Sequence, residues 1–307
     1  MPKNIPLGHW TRVLVTLIPL VLGARASTSL AEATSCNDRR PNTSIIPQKD
    51  GFIDRNGKIY YVIAGSGAPL VFIHDGALSS EVWDGQVAYF KACRRVVRYD
   101  RRGYGNSPPA KSPFSNIEDL RAVIQATRSE GAVLVAGSMG GMLAIDYTLQ
   151  YPQDVSGLVL VGPIVSGLPL SDHFNERMRA LMGTTSTMTI RNFSDDRYVL
   201  GPNSDGLRPA FAKLMLKSKA ALETDPVLFA AAWQPRRPAL ANLHEIKVPT
   251  LILAGEYDIP DVHAHSGAIE AGIVGAKRLV VSDAGHLIYF EQPETFNRLL
   301  AEFLGKH

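Results

Sequence analysis

Residues 133–141 read Val133-Leu134-Val135-Ala136-Gly137-Ser138-Met139-Gly140-Gly141, and the helix-forming residues 142–150 follow directly. An apolar, β-branched run stops at small residues with Ser138 among them, which predicts a strand, a sharp turn carrying a serine, and a helix. A serine in such a turn sits in strained backbone, so small residues are needed two positions before and two after it, here Ala136 and Gly140. Its hydroxyl is then exposed at a helix N-terminus, where free backbone N–H groups stabilise negative charge. The stretch departs from G-x-S-x-G at one place, because Ala136 stands where the first glycine is usual. Alanine is still small enough for the turn. Taken alone, the stretch fits a Gly-rich strand-to-helix turn with a bystander serine equally well, since short motifs match by chance.

A serine hydroxyl becomes a good nucleophile only when a base takes its proton, and the base needs a carboxylate to hold its tautomer. In this architecture the partners follow in the order serine, acid, histidine. Residues 249–254 read as an apolar strand, followed by Gly255-Glu256-Tyr257-Asp258. Residues 278–281 form another strand, followed by Ser282-Asp283-Ala284-Gly285-His286. Both candidates therefore lie just past the C-terminal ends of strands, as Ser138 does, and in an open α/β sheet that edge binds ligands. The expected triad is Ser138, Asp258 and His286. Glu256 and Asp261 are rival acids.

Two further motifs carry a resemblance. Val71-Phe72-Ile73-His74-Asp75-Gly76 is similar to a strand ending in His-Gly, and residues 100–107, Asp-Arg-Arg-Gly-Tyr-Gly-Asn-Ser, match D-x-R-G-x-G-x-S. With the serine turn and the histidine loop, these make four motifs in family order from about residue 51 to the end. The chain resembles the α/β-hydrolases of the lipase, esterase and cofactor-free haloperoxidase-like kind. The resemblance implies oxyanion donors at the Met139 and Gly76 N–H groups, and no metal or organic cofactor. Asp75 departs from the pattern, which has a glycine after the histidine. A carboxylate there opposes charge developing in an oxyanion hole. It is expected to turn away and pair with Arg101 or Arg102; the alternative is a place inside the site with a raised pKa.

At 307 residues and 45% hydrophobic content, the chain can bury one large core, with or without a lid. The formal charge of +3 comes from Lys3, Arg12 and Arg25 in residues 1–26, which hold no acid; the remainder has 29 basic against 29 acidic residues. That leaves no basic field for nucleic acid. Residues 1–26 read as a signal peptide: a positive start, a short apolar run at 13–23, and Ala24-Arg25-Ala26 as a small-x-small cleavage site, with Ala31-Glu32-Ala33 a second. The apolar run is too short to span a bilayer comfortably. The expected localisation is export, and Cys36 and Cys93 fit either a disulfide or two free thiols.

Residues 27–50 read as a polar arm, and Asn56-Gly57 signals a hairpin. Apolar strands then alternate with helices, which predicts an α/β fold with a mostly parallel central sheet covered by helices on both faces. Residues 51–163 and 243–307 form this core. The alternation breaks over 164–242, expected to be a helical cap with helices near 173–182, 207–216 and 226–233. Met178, Met182, Met188 and Met215, with Phe174, Phe211, Phe229 and Trp233, make this insertion a candidate wall for small apolar or aromatic esters and lactones; ordinary packing is the competing reading. Asp100 and Arg102 are expected to brace their loop, Trp83 to pack the first helix, and His263 and His265 to face solvent. The implied activity is acyl transfer by a serine hydrolase. A C–C bond hydrolase with the same triad and cap, and a non-catalytic binding or sensing role, stay open beside it.

Overall fold

A computed structural model describes residues 48–218 and 226–307. The expected signal peptide, its expected cleavage sites and most of the arm lie outside the described residues. A hairpin opens the fold, β1 (Gln48–Asp54) and β2 (Lys58–Ala64), so the last residues of the stretch read as an arm are strand. Its turn places Asn56 at φ 50° and Gly57 at φ 118°, the left-handed backbone that this residue pair tolerates.

Strands and helices then alternate: β3 (Pro69–Ile73), α1 (Asp84–Phe90), β4 (Arg95–Tyr99), α2 (Asn116–Ala126), β5 (Ala132–Gly137), α3 (Met139–Gln150) and β6 (Val155–Val161). Four helices follow without a strand: α4 (Asp172–Leu181), α5 (Ser186–Asp195), α6 (Arg208–Leu216) and α7 (Pro226–Ala231). The chain closes with β7 (Thr250–Gly255), α8 (Pro260–Gly272), β8 (Lys277–Val281), α9 (Ile288–Glu291) and α10 (Pro293–Lys306). The strands form a single sheet in the order β1-β2-β4-β3-β5-β6-β7-β8, antiparallel across β1-β2-β4 and parallel from β4 onward. The expected α/β class and mostly parallel sheet are what the fold shows.

Successive strand residues face opposite ways, so a strand buried on both faces must be apolar throughout. In β5, Val133 and Val135 join a core with Phe72, Trp83, Phe90 and Phe296, under α1 and α10. Leu134 and Ala136 join the opposite core with Val71, Ile73, Tyr99, Leu120 and Ile145, under α2 and α3. Each such side chain, fully buried, contributes about 1.5–3 kcal/mol. Trp83 does pack the start of the first helix, with its ring 5.0 Å from Phe72 and 3.9 Å from Tyr289.

The segment between β6 and β7 contains the three expected helices and one that the sequence hid. Helix α5, Ser-Thr-Met-Thr-Ile-Arg-Asn-Phe-Ser-Asp, is rich in β-branched and backbone-competing residues that disfavour helix. It is fixed instead by its Thr185 cap, which accepts from the Met188 N–H at 3.2 Å, and by burying Ile190. Among the described residues no helix is long and apolar enough to cross a membrane. Cys93 is disulfide-bonded, and Cys36, the other cysteine of the sequence, lies outside the described residues.

Candidate active site

The turn after β5 gives Ser138 φ 52° and ψ −118°, left-handed backbone that costs a non-glycine residue on the order of 1–3 kcal/mol. Its N–H is held by Val161 O at 2.8 Å. Neighbouring backbone sets the demand for small residues: a Cβ on Gly140 would lie 2.6 Å from His74 O and 2.8 Å from Ile73 O. Gly137 is pinned similarly, since a Cβ there would come within 2.8 Å of the Tyr289 hydroxyl. Helix α3 starts at Met139, immediately after the serine.

His286 and Asp258 arrive from the loops after β8 and β7 and meet, with His286 Nδ1 2.8 Å from Asp258 Oδ1. A carboxylate oxygen only accepts, so Nδ1 carries the proton and Nε2 keeps its lone pair. Asp258 Oδ1 is fixed in turn by the Ile259 N–H at 2.7 Å. Burial pulls the His286 pKa down, but the charge and hydrogen bond of Asp258, with the charge of Asp75, outweigh it and leave it above the usual value. Gly162, at φ 54°, makes room for the pair: a Cβ would lie 2.8 Å from His286 Nδ1 and 3.0 Å from Asp258 Oδ2.

The histidine loop leans on the β6–β7 insertion. The His286 N–H donates to Tyr198 O at 2.9 Å. Glu291 accepts from Gly201 N–H and Ser204 Oγ at 2.7 Å with one oxygen, and from Gly285 N–H at 2.9 Å with the other. Sequence reasoning passed over Glu291 because Gly201 and Ser204 lie 90 and 87 residues away.

Ser138 and His286 open into one cavity of about 490 Å³, which Gly76 and Met139 also line. Among the described residues, the N–H groups of Gly76 and Met139 donate no hydrogen bond, and Ser138 Oγ has no direct bond to His286. Six of the eight residues proposed for the apolar wall line this cavity: Met178, Met182, Met215, Phe174, Phe211 and Phe229. The other two do not. Met188 is 48% exposed, and Trp233 lies under the Arg101 guanidinium at 4.9 Å.

Asp75 is where expectation and structure part. Its carboxylate pairs with neither Arg101 nor Arg102. Oδ1 accepts from the Ala77 and Leu78 N–H groups at 2.6 and 2.9 Å, and Oδ2 accepts from the Tyr289 hydroxyl at 2.8 Å. Arg102 is already engaged by Asp119 at 2.6 Å, and Arg101 donates to the backbone oxygen of Asp75. The side chain thus stays at the cavity wall, tying its own loop to α9. His74 beneath it accepts from Arg101 N–H through Nε2 at 3.0 Å. Burial first, and the Arg101 charge second, hold the His74 pKa well below its usual value.

Asp100 and Arg102 do brace their loop, Asp100 accepting from the Ser80 and Asn106 N–H groups at 2.8 and 2.9 Å. Of the rival acids, Glu256 is exposed and Asp261 caps α4 through Ser171, with contacts at 2.6 and 2.8 Å. The solvent-facing expectation for His265 is wrong. It is buried, and its Nδ1 accepts the Val165 N–H at 3.0 Å, because the segment after β6 packs over that face of α8.

Comparison with known proteins identifies the fold. Residues 68–293 match the model of the α/β hydrolase fold family. A proline iminopeptidase of Lactobacillus helveticus is 26% identical over 283 residues, covering 81% of this chain and 94% of the relative. A 2-hydroxy-6-oxononadienedioate/2-hydroxy-6-oxononatrienedioate hydrolase of Paraburkholderia xenovorans is 28% identical over 276 residues, covering 82% and 92%. Among solved structures, Est816, described as an N-acyl homoserine lactone degrading enzyme, aligns with a TM-score of 0.69 at 28% identity, over 82% of this chain and all of that one. With its serine turn, its parallel sheet and a family match over well more than half its length, the chain belongs to the α/β hydrolase fold family.

Proposed function

We propose that this protein is a serine hydrolase that cleaves carboxylic esters or lactones by acyl transfer. The observation that carries the reading is one cavity shared by a serine in strained backbone and a histidine whose far nitrogen is fixed by Asp258. Ser138 Oγ attacks the carbonyl carbon while His286 Nε2 takes its proton. The oxyanion that forms lies against the Met139 and Gly76 N–H groups, which have no other partner to give up among the described residues. His286 then returns the proton to the leaving alkoxide, and water repeats the sequence to free the acid. Catalytic hydrogen bonds often tighten only with substrate bound, which suits a serine not yet bonded to its base.

The helices between β6 and β7 act as a cap on this reading, and their apolar wall favours apolar or aromatic acyl groups. A panel of short, long and aromatic esters and lactones tests the proposal on purified protein and on Ser138→Ala. The alanine variant is expected to lose about a million-fold in rate, and retention of more than a few per cent of wild-type turnover overturns the assignment. The relative that hydrolyses an oxononadienedioate favours a second reading, C–C bond hydrolysis, and turnover of a 2-hydroxy-6-oxo-dienoate with no ester turnover would select it. Export through residues 1–26 is proposed on the sequence layout; the mass of the mature protein, expected to start near Ser27 or Thr34, tests it.

A further inference from the structure

Among the described residues the cavity wall is apolar almost throughout, and one cation interrupts it. Arg177 on α4 lines the same space as Ser138, although its side chain is only 9% exposed. Burying a guanidinium beside Phe174 and Met178 is costly unless its donors are used. Among the described residues they mostly are not. Nη2 alone donates, to Asp196 Oδ1 at 2.5 Å, while Nε is buried without a partner.

Asp196 answers the charge through a single oxygen. The same Oδ1 also accepts the Tyr198 and Val199 N–H groups, at 2.9 and 3.1 Å. The guanidinium lies over the Tyr198 ring at 5.3 Å, which positions it further. Its charge reaches the catalytic region, where it works against protonation of His286. A second buried polar atom of the wall, Ser218 Oγ, also has no partner among the described residues. On the opposite side of the electrostatics stands Asp75, whose charge repels an anion from the neighbourhood of the serine loop. A fixed cation with idle donors in a low-dielectric wall is a binding group for an anionic acceptor.

We propose that Arg177 is a carboxylate-binding subsite, and that the cavity takes esters or lactones whose apolar acyl chain carries a second, ionised carboxylate. The inference rests on the ester-cleaving reading of the same cavity, so its test has one arm that needs no turnover. In the first arm, wild type and Arg177→Met are compared on p-nitrophenyl hexanoate and the mono-p-nitrophenyl ester of adipic acid, which differs by its terminal carboxylate. Wild type should favour the adipate ester by about tenfold or more in kcat/KM, as one charge-assisted hydrogen bond allows. That ratio should fall to about one in Arg177→Met and recover in part in Arg177→Lys. If Arg177 merely holds α4 against Asp196, both esters lose rate together and the ratio stands, which overturns the proposal. In the second arm, calorimetry compares adipamate with hexanamide on wild type. Tighter adipamate binding without ester turnover keeps the subsite while the catalytic reading fails. Equal affinities, or equal rates on the two esters, reject the subsite whether or not any variant folds.

Discussion

Replacing Asp75 with asparagine removes one charge and almost no volume. In the native loop the carboxylate accepts three hydrogen bonds, from the Ala77 and Leu78 N–H groups and from the Tyr289 hydroxyl. An asparagine oxygen can keep the two backbone bonds, while its amide faces a hydroxyl that must turn round to accept. Hydrogen bonds to a charged group contribute about 1 kcal/mol more than neutral ones, so three of them put the expected loss at about 2–3 kcal/mol of stability. The second effect is electrostatic. The Asp75 charge is among the causes that raise the His286 pKa, so removing it lowers that pKa. The imidazole then stays neutral, and competent as a base, to lower pH, and the acid limb of the kcat/KM profile moves down. Urea denaturation and a pH–rate profile on both proteins measure the two effects. An unchanged stability together with an acid limb that stays or moves up would refute this account of Asp75.

Gly140→Ala forces a Cβ against two backbone carbonyls, His74 O and Ile73 O, and should cost about 1–3 kcal/mol in denaturation, with turnover reduced because the serine turn shifts. Burial raises the Asp146 pKa to about 7, against a hydrogen bond from Ser166 that lowers it. The folded state therefore holds a proton that the unfolded state has released, and stability falls as pH rises from about 4 to 7. Asp146→Asn keeps an acceptor for Ser166, so it should match wild type at pH 4 and exceed it at pH 8 in urea midpoint; equal midpoints at pH 8 would rule this out.

The parts of the molecule that the sequence revealed are those whose physics is local. Strands β3, β5 and β7 are buried on both faces and read as near-continuous apolar runs, and the serine turn announces itself through Ala136 and Gly140 flanking Ser138. Asp258 and His286 were legible because each follows a readable strand. What stayed hidden depends on contacts far apart in the chain. The Tyr289 hydroxyl that holds Asp75 is 214 residues from it, so charge alone suggested the adjacent arginines. Arg177 and Glu291 carry no local sequence signal, because what they bond lies in the packed β6–β7 segment. His265 looked exposed for the same reason, since the Val165 N–H that it accepts lies 100 residues back.

The central claim is that Ser138 is the nucleophile, and covalent trapping tests it most directly. Purified protein would be treated with an alkylphosphonate p-nitrophenyl ester, which leaves a stable adduct on an activated serine, and the adduct located by peptide mass. The account predicts one adduct per chain, on the peptide that contains Ser138, formed slowly if at all when His286 is replaced by alanine and absent from Ser138→Ala. An adduct on another residue, or an unlabelled Ser138 in a protein that still hydrolyses esters, would contradict it.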